Sequence, residues 1–102
     1  MASSTPLTLA QFRSLMTAAG YAEVIERQWA PGTVLDTHTH PFAANAIVVQ
    51  GQMWLAVQGG EERVLNVGDT FSLDAEIPHT ERYCPREGAT YWVARRGAAG
   101  TQ

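Results

Sequence analysis

Residues 36–51 read DTHTHPFAANAIVVQG. Two of the chain's three histidines, His38 and His40, stand at the head of this stretch, and the apolar run that follows ends on Gly51. In an extended strand residues i and i+2 point to one face, about 7 Å apart at their Cα atoms. His38 and His40 therefore project together, and two imidazoles at that spacing can take adjacent positions on one metal ion. The same pattern also fits two exposed or hydrogen-bonded histidines with no metal between them.

Outward from this stretch the sequence is a series of short β-type runs. They span 23–29, 34–40, 46–50, 53–57, 63–67, 70–73, 79–83 and 91–95, separated by Pro31–Gly32, Gly51, Gly59–Gly60, Gly68–Asp69, Pro78, Pro85 and Gly88. Regular spacing of such runs predicts an all-β antiparallel sandwich or barrel, and the βαβ alternation of a parallel sheet is missing. The third histidine, His79, follows Pro78 at the start of a later run. A barrel can bring it beside the earlier pair, because inward residues of neighbouring strands converge.

One helix is expected near the start. Thr8 and Gln11 form a capping-box pattern, Leu9, Phe12, Leu15, Met16 and Ala19 recur at helical spacing, and Gly20 suits the stop. At 102 residues the chain is expected to form a single domain. A formal charge of −3, with no basic cluster larger than Arg95–Arg96, argues against a nucleic-acid partner. No apolar run is long enough for a membrane span and no leader pattern opens the chain. With the single Cys84 unable to pair internally, a cytoplasmic location is expected.

The stretch PGTVLDTHTHPFAANAIVVQG resembles the first motif of the cupin family: a glycine, five residues, H-x-H, three or four residues, a glutamate, six residues and a glycine. Gly32, His38, His40 and Gly51 fall in register, and GDTFSLDAEIPHTERY is similar to the second motif through Gly68, Pro78 and His79. The resemblance runs from about residue 23 to 95 and implies a small antiparallel β-barrel of double-stranded jelly-roll type, often dimeric. It divides the chain into a helical extension over 1–20, a cupin barrel over 21–96 and a frayed tail over 97–102. The departures are specific. Ala44 stands where the glutamate is usual, Asp74 and Glu76 replace a proline and a glycine, and Tyr83 replaces an asparagine. Asn45 could stand in for the glutamate only across a bulge, since a one-residue slip reverses a side chain's face.

What the resemblance carries over is thus a metal triad of His38, His40 and His79. A divalent ion held by three neutral imidazoles keeps its full charge and should attract an anionic or chelating small molecule. Imidazole suits Fe, Zn, Ni and Cu, and Mn stays open as well. Cupins with three-histidine sites include iron-dependent dioxygenases, which makes that the enzymatic expectation. A ligand-sensing or storage module without catalysis is the alternative, as is a metal-free isomerase or epimerase in which His38 or His79 handles the proton. Strand parity places Asp36 with His38 and Glu81 with His79, as groups that could orient an imidazole or serve as a base. By parity Tyr83 could reach the same cavity, and Phe42 and Trp54 are candidate apolar walls. Cys84 has the opposite parity to His79, so the two make no nucleophile–base pair. Apolar residues on both faces of 52–57 suggest a homodimer or cover by the helix.

Overall fold

One strand organises the molecule. In the computed structural model, which describes residues 7–97, β3 runs unbroken over Phe42–Val57. Two separate runs were expected around Gly51, but glycine does not end the strand; it lets it turn a corner. Gly51 has φ +79, the register slips between Val48 and Gln50, and a Cβ at Gly51 would run into the Gly88 carbonyl oxygen. Gly88 in turn, at φ +65, packs against the Trp29 carbonyl with no room for a side chain.

Either side of that corner β3 belongs to a different leaf. Its first half pairs with β5 (Thr70–Leu73) and β7 (Ala89–Gly97), and β7 also pairs with β1 (Glu23–Trp29). Its second half pairs with β4 (Arg63–Asn66) and β6 (His79–Tyr83), and β6 pairs with β2 (Val34–His38). All these ladders are antiparallel, which gives the expected all-β jelly roll. The hydrogen-bonded order β1-β7-β3-β6-β2 does not close into a ring, so β1 and β2 remain edges.

The core lies between the leaves because each strand alternates. Ala44, Ala46 and Val48 of one half of β3, and Met53 and Leu55 of the other, are buried with Phe71, Tyr91 and Val93 facing them. Two turns carry the expected glycine chemistry. Gln58 and Gly59 both have positive φ in the β3–β4 hairpin, and Gly68 has φ +95 before β5.

Helix α1 (Leu9–Ala18) begins at the Thr8–Gln11 capping box and stops at Gly20, φ +97. It lies on β1 and β7, with the Phe12 ring 6.1 Å from that of Trp92. Its apolar contact is narrower than the sequence stripe: only Phe12 is buried, and Leu15 is 55% exposed. Of the tail expected over 97–102, Gly97 ends β7 opposite Phe42, and the remainder lies outside the described residues. No described helix is long and apolar enough to cross a membrane.

Candidate metal centre

The site is built where β2 meets β6. Leu35 pairs with Glu81 and His38 with His79, so β2 spends three residues where β6 spends two. This bulge breaks the parity that would have turned Asp36 toward the site. Asp36 is exposed, and it is its backbone carbonyl that meets His38, 2.7 Å from Nδ1. β2 ends at His38, two residues earlier than expected, and His40 follows it with its ring stacked on Phe42 at 4.8 Å.

β6 is regular. Its burial alternates strictly, so His79, Glu81 and Tyr83 all face inward at 2%, 4% and 2% exposure. The turn before it tolerates Glu76 in the left-handed region, φ +64, where glycine is usual, and the Glu76 amide donates to the His40 carbonyl.

Four side chains converge. The rings of His38, His40 and His79 lie 4.3 to 5.1 Å apart, and the ligand atoms they and Glu81 offer all fall within 4.8 Å of one another. Glu81 Oε2 is 3.3 Å from His38 Nε2 and 3.2 Å from His79 Nε2. Its other oxygen accepts the Tyr83 hydroxyl. The carboxylate absent at Ala44 therefore enters from another strand. Ala44 itself lines the cavity, while Asn45 points away from it, paired opposite Ser72 on a stretch of β3 with no bulge.

Two observations fit this set to a metal ion. His38 Nδ1 and His79 Nδ1 each face a main-chain carbonyl two residues back, Asp36 at 2.7 Å and Ile77 at 2.9 Å. A carbonyl only accepts, so both Nδ1 atoms carry the proton and both Nε2 lone pairs point inward. His79 Nε2 is also a buried nitrogen with no aligned hydrogen bond; its approach to Glu81 is charge contact only. Such an atom asks for a partner. His38, His40, His79 and Glu81 can hold a metal ion, and with one carboxylate among them a divalent ion would keep a single positive charge, not two.

Without metal the same groups titrate against one another. The Glu81 carboxylate raises the His79 pKa, outweighing burial, which lowers it. Burial is the largest influence on Glu81 and pushes it up, yet the adjacent His79, the Tyr83 hydroxyl and the nearby His38 hold it below the usual carboxylate range. Burial lowers His40, with the charges of His79 and His38 adding to it. Tyr83 is driven far up, first by burial, so its hydroxyl stays a donor.

A cavity of about 440 Å³ opens from this cluster between the leaves. Phe42 lines it, as expected. Tyr83 does not reach it; its ring stacks on Trp29 at 5.3 Å and its hydroxyl acts through Glu81. Trp54 was misplaced by the sequence reading. It alternates with the buried Met53 and Leu55, and so lies on the outer side of its leaf under the Arg82 guanidinium, 4.4 Å away. Cys84 lies outside both the cluster and the cavity lining. The sequence reading missed Arg27, Trp29 and Arg95 on the opposite wall, although the alternation of Ile25, Arg27 and Trp29 was there to be read.

The cupin domain model matches residues 26–93, two thirds of the chain and the whole of this site. The chain belongs to the cupin family. No curated protein matches this cupin by sequence. Among solved structures it is similar to DMSP lyases, at 25% identity and TM-score 0.66 over 74% of this chain and 38% of theirs. It is also similar to an RmlC-like cupin from Shewanella frigidimarina, at 23% identity and TM-score 0.61 over 72% of this chain and 65% of that one. Oxalate oxidase shares the fold at 21% identity and TM-score 0.64, over 72% of this chain and 41% of its own. The cupin thus spans under two thirds of the length of each of these relatives.

Proposed function

We propose that this cupin is a metal-dependent enzyme for a small molecule, with a divalent transition metal held by His38, His40, His79 and Glu81 at the base of the cavity. The observation that carries the reading is the inward convergence of three imidazoles and one carboxylate, with His79 Nε2 buried and unpartnered. Bound there, the ion supplies Lewis acidity and, if it is ferrous iron, a place for O₂. The chain's own residues do the rest. Main-chain carbonyls fix the two imidazole tautomers, Tyr83 holds Glu81, and Phe42, Phe71, Leu73 and Val93 shield the site from water. Iron-dependent oxygenation is the reaction class we favour. Since the similar structures include both lyases and an oxidase, the fold leaves the reaction itself to be measured.

A metal-free isomerase has one observation in its favour: the buried His79–Glu81 pair could move a proton unaided. Elemental analysis of untagged protein separates the two. About one equivalent of transition metal, lost in His38→Ala and His79→Ala, supports the metal-dependent reading. Less than about a tenth of an equivalent after reconstitution with Fe, Mn, Ni, Cu or Zn overturns it. We further propose a homodimer, supported by the partly exposed Trp54 and Val64 that neighbour each other on the outer face of β3 and β4; molar mass in solution tests it.

A further inference from the structure

The cavity has two walls of different chemistry. The metal-ligating cluster comes from the leaf containing β2 and β6, whereas β1 and β7 of the other leaf supply Ile25, Arg27, Trp29, Tyr91, Val93 and Arg95. Of the two arginines on this wall, Arg95 is paired with Glu23 at 2.8 Å. Arg27 has no carboxylate partner among the described residues, and its guanidinium is parked 4.7 Å above the Trp29 ring. Trp29 Nε1 is buried without an acceptor. The Tyr91 hydroxyl is close enough to feel the indole but makes no aligned hydrogen bond with it. Arg27 thus lines the cavity with its charge unpaired, its guanidinium held on the Trp29 indole.

We propose that Arg27, seated on Trp29, forms an oxyanion subsite on this wall, so that the ligand is a small molecule with one group for the metal and a carboxylate or similar acid at its far end. A carboxylate can accept from a guanidinium with both oxygens. The indole of Trp29 is the guanidinium's platform. Its position is fixed, since the Trp29 ring is stacked on Tyr83 on one side and covered by Arg27. The one unpaired acid on the lining, Asp36, sits exposed on β2 and makes no ion pair with Arg27, so it opposes the anion only through its charge.

This inference rests on the metal-centred reading of the cavity and is tested separately from it. Malonate, succinate, glutarate and adipate, each beside its monoamide, are titrated into Zn-reconstituted protein and into chelated protein by calorimetry. At least one diacid is expected to bind about tenfold or more tighter than its monoamide. In Arg27→Gln that preference falls to about twofold or less at unchanged metal content, and Arg27→Lys keeps part of it. Absence of any diacid preference in the wild type, or its survival in Arg27→Gln, overturns the subsite. Protein that takes up none of Fe, Mn, Ni, Cu or Zn overturns the metal reading alone, and the chelated samples then decide the subsite by the same comparison.

Discussion

The Tyr83 hydroxyl donates to one oxygen of Glu81 and leaves the other facing His38 and His79. A residue that never touches the cavity thereby sets the orientation of the only carboxylate in the cluster. Tyr83→Phe keeps the buried ring and its stacking on Trp29 but frees Glu81 to rotate. Metal affinity is expected to fall about 10- to 100-fold, the usual cost of losing such a supporting hydrogen bond. Competition with a chelator of known affinity measures it, and an unchanged affinity would mean that Glu81 is held by packing alone.

Asp36 gives the opposite expectation. Its contribution to His38 is a main-chain carbonyl, so Asp36→Asn should leave metal content and affinity within about twofold of the wild type. A loss as large as that of Tyr83→Phe would show that the carboxylate reaches His38 in solution.

The carboxylate can be moved between strands. Ala44 lines the same cavity and occupies the place where the first cupin motif carries glutamate. Glu81→Gln should weaken metal binding, and adding Ala44→Glu in that background should restore much of it. In the metal-free wild type, Ala44→Glu alone buries a second acid next to Leu73 and is expected to cost about 3 kcal/mol in urea unfolding, recovered on metal addition. If the double variant binds no better than Glu81→Gln, position 44 has lost its access to the ion.

In chelated protein the acid–base pair should shape the stability curve. His79 is raised when folded, chiefly by Glu81, so its contribution is full below the ordinary histidine pKa and is lost as pH climbs through the folded value. Glu81 is held low when folded, so its contribution is full above the ordinary carboxylate range and is lost as pH falls through the folded value. His40, lowered chiefly by burial, contributes above the ordinary histidine pKa and weakens as acid approaches its folded value. Thermal melts of the chelated protein should therefore decline as pH rises above the ordinary histidine pKa, through His79, and again in acid. Glu81→Gln should flatten the decline through His79. A decline of equal size in that variant would place its origin elsewhere.

How much of this was legible in the sequence differs from strand to strand. β1, β5 and β6 were readable to the residue because turn residues bound them, and in β5 polar and apolar positions also alternate. The three histidines were readable for the same reason, together with the motif spacing around Gly32, Gly51 and Gly68. Regular β6 also carried the inference that Glu81 and Tyr83 share a face with His79. Parity failed on β2, where a bulge that no residue type announces left Asp36 exposed at the cavity's edge with only its carbonyl on His38. It failed again at Gly51, because a glycine that breaks a strand and one that bends it look alike until its neighbour Gly88 is in place. Trp54 was misjudged because both faces of its stretch are apolar, and only the arrival of Arg82 tells outside from inside.

That β3 serves both leaves bears on when the site comes into being. Its hairpin with β4 closes a short loop and can form early, whereas the pairing of β1 with β7 joins residues at opposite ends of the described chain. His38 and His40 meet His79 and Glu81 only after β6 has docked between β2 and β3. The nascent chain thus offers a passing ion no more than an isolated pair of imidazoles. Tight capture becomes a signature of completed folding, and each rise in free metal should lift the melting temperature by mass action on the native state.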